Sequence, residues 1–345
     1  MLKEIGSEFW IERGAFCEDS RRDGSYVLSG RTAMDMIIGD VRLTRKLSVA
    51  YLPAWCCDSM IAPFLGAGVK VKLYDMSLTE SGLEYMADPS VETDLLFVCN
   101  YFGYSCTMPE SLIADFRRRG AVVVYDMTHS LLRDEPVPDW ADYYFASLRK
   151  WMNVVTGALI GKRDGTFPTD YPQCPYWTVR RDAMFTKSDF IAGDASALKS
   201  VFLAAYGEFG HRLVEDRGYG MDDLSYSIWK SCDRNSLRKR RMDNASVLHR
   251  NLEGVRFLSD LREGDCPLFV PVFMDTREQR DKVRSYLVSK DIYCPVHWGR
   301  NCLVTEDMAV NAIFDTEMSV ICDQRYGMDE MKRIINEIKN IFGKI

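Results

Sequence analysis

Three residues near the middle of the chain have types and spacing suited to covalent chemistry on a carbonyl group: Asp126, Ser147 and Lys150. A lysine amine forms a Schiff base with an aldehyde near neutral pH only when burial or nearby positive charge lowers its pKa. Lys150 lies between Arg149 and Trp151, so its neighbours offer both effects. A carboxylate such as Asp126 can keep a ring nitrogen protonated, and a hydroxyl such as Ser147 can bind a phosphate oxygen.

The surrounding pattern says how these groups are positioned. Residues 121–125 (AVVVY) form an apolar β-branched run that reads as a buried strand and stops at Asp126. A second run, 143–146 (YYFA), ends on Ser147, and a third, 154–160, is interrupted by Gly157. Buried parallel strands in an open α/β sheet present their carboxyl ends to the ligand crevice. An acid thus stands at the mouth of one strand, with a hydroxyl and an amine just beyond the next. One cofactor needs this set. Pyridoxal phosphate (PLP) takes a lysine on its aldehyde and a carboxylate at its ring nitrogen, so that the ring accepts electrons when a bond at the substrate α-carbon breaks.

The blocks Asp126-Met127-Thr128-His129 and Ser147-Leu148-Arg149-Lys150 resemble those of the DegT/DnrJ/EryC1/StrS sugar aminotransferases, among the fold-type I PLP enzymes. The compact Ser-Leu-Arg-Lys spacing and the lone Gly157 mark a divergent member. The resemblance implies a large, mostly parallel sheet flanked by helices, with a small C-terminal α/β domain. We place the large PLP-binding domain at 1–230 and the small one at 231–345. It also implies that Lys150 carries the Schiff base and Asp126 holds the ring nitrogen, with Ser147 on the phosphate and His129 near the ring. A structural role for His129 is the alternative.

Gly30, Arg31 and Thr32 open a helix whose apolar residues recur at Met34, Ile37, Ile38 and Val41. Unpaired N–H groups and the dipole at a helix start suit a phosphate. A plain N-cap by Ser29 or Thr32 explains the same residues. Trp55 follows a strand at 47–53, where the family places the side chain that stacks on the cofactor ring; a core tryptophan is the alternative. Asn100 ends the apolar run 94–101 and either reaches the ring's phenolic oxygen or forms a turn before Gly103. Residues 164–186 are turn-rich and aromatic and read as a loop. The segment Arg217–Leu224 resembles one that contacts the neighbouring subunit's phosphate in the family, but Gly220 stands where the family has Asn. Near the C-terminus, Arg325 or Arg300 is a candidate for a substrate's acidic group, and His297 for another substrate contact. Arg325 is equally a partner for Asp323.

Composition sets the outer limits. The 345 residues carry a net charge of −6, which gives no electrostatic case for nucleic acid, and no apolar stretch is long enough to span a bilayer. The basic run Arg238–Arg241 reads as a solvated helix face. The eleven cysteines are scattered, without a CxxC pair, so a metal site is not expected and buried thiols in a reducing cytoplasm are. The expectation is a cytoplasmic homodimeric PLP-dependent aminotransferase acting on a small amino donor, such as glutamate, and a keto-sugar or similar acceptor. Two alternatives stay open: a PLP-dependent sugar dehydratase or eliminase, and a non-catalytic regulatory protein on a decayed aminotransferase fold.

Overall fold

The structure is a computed structural model that describes residues 4–14, 24–194 and 196–343. The chain divides into two compact units. The first comprises Met1–Ser7, Ile38–Asp142 and Arg234–Ile345, and the second comprises Glu8–Ile37 and Tyr143–Asp233. The C-terminal segment therefore groups with the early strands of the sheet, while residues on either side of Lys150 form the second unit.

In the first unit the strands run in the order Val122–Asp126, Leu95–Cys99, Val49–Pro53, Lys70–Thr79 and Gly82–Met86. The first four are parallel, and the last turns back antiparallel as a hairpin on the edge. The two strands Leu95–Cys99 and Val122–Asp126 are buried at every position. Such runs suit a strand covered on both faces. Cys99 pairs with Asp126, and Pro53 with Tyr74, so the carboxyl ends of these strands share one edge. Helices Asp58–Gly66 and Glu110–Arg118 make the crossovers. A parallel pair requires such a connection.

The C-terminal part of this unit has its own antiparallel sheet, ordered Arg256–Phe257, Val270–Phe273 and Glu317–Val320. Helix Met328–Phe342 follows the expected 3.6-residue period. Met331, Ile334, Ile335, Ile338 and Ile341 all enter one core with Val270, Val272, Met318 and Val320. The short strand Ile292–Tyr293 pairs in parallel with Ile5–Gly6.

The second unit has three antiparallel strands in the order Ser25–Val27, Ala158–Lys162 and Tyr143–Ser147. The strand after Lys150 thus runs against its predecessor rather than parallel to it. Gly157 explains its late start. Its φ of +131° breaks the extended run, and an added Cβ would sit 2.8 Å from Met221 Cε. The stretch read as a loop over 164–186 becomes helical from Trp177, as helix Trp177–Ala192. Two helices follow, Asp223–Ser231 and Arg234–Asn251. Within the second of these, Arg241 is fully buried. It donates to Gln324 Oε1 and to the carbonyls of Pro267 and Leu268, so it is an internal cross-link and not part of a solvated face. No helix among the described residues is long and apolar enough to cross a membrane.

Candidate active site

In the first unit, Asp126 lies at the carboxyl end of its strand and is 8% exposed. Its Oδ1 accepts a hydrogen bond from the Thr128 N–H at 2.9 Å, which fixes the turn that carries His129. His129 is half-buried, and its ring stacks on Phe102 with centroids 4.6 Å apart. Trp298 lies near-parallel to it at 5.8 Å. Asp126 and His129 thus stand together at the sheet edge where the sequence put them.

Trp55 reaches the same edge but faces inward. It is fully buried and stacks on Tyr101 at 4.6 Å with only 7° between the planes. Its indole N–H donates to the His297 carbonyl, and Phe102 and Trp298 close on its edges. One ring face is thus taken by Tyr101. Asn100 is also fully buried. Its Oδ1 accepts from Gly103 N–H, and its amide donates to Tyr104 O and Thr107 Oγ1. Every bond it makes there closes its own loop, which is the turn role.

The substrate candidates of the C-terminal segment are engaged as well. The Arg325 fork binds Asp323 bidentately at 2.9 and 2.7 Å. Arg300 donates to Asn311 and Asp315, both at 2.7 Å. Both guanidinium groups thus have a protein carboxylate as partner. His297 is 7% exposed, with Nδ1 2.9 Å from Ser319 Oγ, and that hydroxyl donates to Glu317.

In the second unit, helix Gly30–Thr44 starts beside the strand Tyr143–Ser147. A Cβ added to Gly30 would lie 3.4 Å from the Phe145 ring and 3.9 Å from Ser147 Cβ, so the helix start and the serine are neighbours. Ser29 Oγ lies 3.1 Å from Thr32 Oγ1 and accepts from Thr32 N–H, which makes Ser29 the N-cap. Past Ser147 the chain makes a single turn, Leu148–Lys150. Leu148 N–H donates to the Gly157 carbonyl, and Trp151 N–H to Leu148 O. Trp151 is fully buried, whereas Lys150 is exposed. A pocket of about 360 Å³ adjoins this helix, lined by Thr32, Asp35, Met36, Tyr171, Arg217, Gly218 and Tyr219.

The chain matches no family model and no curated protein. Solved structures do match, along almost its whole length. The sugar aminotransferase CalS13 from Micromonospora echinospora superposes with a TM-score of 0.62 at 13% identity, over 92% of this chain and 86% of that one. A DegT DnrJ EryC1 StrS aminotransferase from Brucella abortus gives 0.62 at 11%, over 92% and 85%. NtdA from Bacillus subtilis, solved with bound cofactor PMP, gives 0.64 at 13%, over 92% and 72%. This chain has the sugar aminotransferase fold.

Within that aminotransferase fold, the second unit holds charged groups that sequence reasoning passed over. Arg180 is 4% exposed and donates from its NH2 to Glu8 Oε2 at 2.7 Å. This contact and the nearby Arg149 and Lys150 hold the Glu8 carboxyl down at about 2. Arg149 itself is pushed down to about 9, first by burial and then by Arg180. Its Nε is buried without a hydrogen-bond partner. Glu8 and Arg180 are 172 positions apart, and no local pattern joins them.

Asp222, in the segment read as a phosphate contact, is fully buried and caps helix Asp223–Ser231. The spacing Asp222-x-x-Ser225 was the available signal for this cap.

Proposed function

We propose that this chain is a PLP-dependent aminotransferase that moves an amino group from an amino acid such as glutamate to a keto-sugar or similar small carbonyl compound. The observation that carries the reading is the sugar aminotransferase fold over more than nine-tenths of the chain, on which the sequence places Lys150 and Asp126. The residues of the second unit fit the cofactor's phosphate. A helix of 15 residues starts at Gly30 beside Ser147, and a buried guanidinium nitrogen without a partner lies two residues beyond that serine. Bound PLP supplies an electron sink for breaking a bond at the substrate α-carbon.

The protein's own groups do the rest. Lys150 Nζ holds the cofactor at its aldehyde carbon. With the amino donor bound, the same amine would serve as the general base and acid that moves the donor's α-carbon proton. Asp126 keeps the ring nitrogen protonated, and the Thr128 N–H on its Oδ1 fixes the orientation of the carboxylate. His129 would contact the cofactor ring or hydrogen-bond to its phenolic oxygen. Gly30, Arg31, Thr32 and Ser147 bind the phosphate. The working form is a cytoplasmic homodimer, with residues 231–345 as the smaller lobe.

The test is the visible absorption spectrum of the purified protein with PLP, before and after borohydride, followed by peptide mapping. The expected result is a visible band lost on reduction, with the adduct on the Lys150 peptide. Lys150→Ala should fold normally and lose the band and the formation of 2-oxoglutarate from glutamate. A protein that stays colourless with PLP, or a variant that keeps full turnover, refutes the assignment.

A further inference from the structure

Charge in the second unit does not balance around the turn that carries Lys150. Arg180 is matched by Glu8 through a 2.7 Å contact. Arg149 makes no such contact, and Glu8 acts on it only as a more distant charge. Its guanidinium lies 5.9 Å from the centroid of the Phe209 ring, and that of Arg180 lies 5.7 Å from the same centroid. The two cations are thus held against one aromatic side chain. The Arg149 Nε is shut off from solvent without a hydrogen-bond partner, as is that of Arg180, but only Arg180 has a carboxylate on its other nitrogens. Arg31, at the helix start, adds a further positive charge that acts on Arg149. Arg149 stays charged at neutral pH even so, since its pKa falls only to about 9.

A buried donor without a partner costs stability and calls for an explanation in function. Ser147, two residues back, is a neighbour of Gly30. We propose that Arg149 is a phosphate-binding residue: with Arg31, Ser147 and the Gly30 helix start it seats a phosphate monoester, the phosphate of the cofactor. The inference rests on the aminotransferase reading and adds to it a residue with a defined task. Charge selects the ligand class. A phosphate monoester carries about −1.5 to −2 at pH 7, which two arginines match, whereas a single carboxylate leaves a surplus cation. Glu8 and Arg180 are the positioning pair. They hold Phe209 and the Arg149 side chain in place without touching the ligand themselves.

The experiment compares the full-length wild type with Arg149→Met and Arg149→Lys. Affinities are measured for PLP and for pyridoxal, which has the aldehyde but no phosphate. Melting temperatures are measured without ligand, and with inorganic phosphate against chloride at equal ionic strength. Arg149→Met should weaken PLP binding by about tenfold or more and leave pyridoxal binding unchanged. Arg149→Lys should recover part of the loss. Without ligand, Arg149→Met should melt no lower than the wild type, because it removes an unmatched charge; a structural cation would show the opposite. The proposal is overturned if PLP and pyridoxal weaken equally, if PLP binding is unchanged, or if only glutamate binding suffers. Should the wild type bind neither PLP nor pyridoxal, the aminotransferase reading fails on its own. The phosphate arm then still decides the seat: stabilisation by phosphate in the wild type but not in Arg149→Met supports it, and equal response in both refutes it.

Discussion

Asp222→Asn should destabilise the protein although the two side chains have the same shape. Asp222 Oδ1 accepts from Ser225 N–H at 2.8 Å, and Oδ2 accepts from the Ser225 hydroxyl at 2.6 Å and from the Thr156 hydroxyl. Ser225 Oγ already accepts from Val155 N–H at 2.8 Å and Thr156 N–H at 3.1 Å. Both its lone pairs are used, so its proton must go to Asp222. An asparagine cannot supply two acceptors here. In either amide orientation its NH2 faces a donor of Ser225, the N–H or the O–H. Two buried donors are left unsatisfied, at about 1–3 kcal/mol each. One effect opposes this loss. Burial pushes the Asp222 carboxyl up, so removing the charge returns some desolvation energy. The low end of the range, about 2 kcal/mol, is the expected net loss. Urea unfolding followed by tryptophan fluorescence measures it, with Asp222→Ala as the larger-effect control. A loss below about 0.5 kcal/mol, in the range of ordinary surface changes, would show that the donor arithmetic does not govern this cap.

Two further outcomes follow from the same unit. Glu8 is held at about 2 in the folded protein against an ordinary 4.5. A depressed carboxyl contributes stability above its unfolded pKa and loses it as pH falls through the folded one. The advantage of the wild type over Glu8→Gln should therefore be full above pH 4.5 and vanish toward pH 2. Because the Glu8 side chain is 49% exposed, solvent screening limits that advantage to about 1 kcal/mol. Acid titration of the two melting temperatures tests it, and a constant gap across that range would contradict the ion-pair account. Gly157→Ala should cost about 2 kcal/mol through its left-handed backbone. Met221→Ala in the same chain should recover little of it, since a flexible Met terminus can move aside; a full recovery would place the cost in the side-chain contact instead.

The features legible in the sequence are those that a local pattern determines. Residues 122–126 and 95–99 read as buried strands because every side chain is apolar up to the polar residue at the end, and a strand buried at every position requires that composition. The closing helix follows such a pattern: its apolar residues recur every three or four positions and all five point into one core. Asp126 was found for the same reason: it ends its pattern. Trp55 and Asn100 show where local pattern stops being sufficient. Their types and places suit both a cofactor contact and a structural role, and the choice rests on Tyr101 stacking against one and the 103–107 loop closing on the other.

Charge was the least legible quantity. In Arg238–Arg241, the last arginine points inward to the carbonyls of Pro267 and Leu268, which only the helix's rotational setting determines. Arg149 has the opposite history. Beside Lys150 it reads as a modifier of the amine, yet its burial against Phe209 and the capture of Arg180 by Glu8 leave it as the surplus cation. Such a surplus cannot be read from a sequence, because it depends on which carboxylate folding delivers to which guanidinium. An unmatched, partly buried arginine lowers stability, so a chain gains from keeping one only where an anionic ligand completes the pairing.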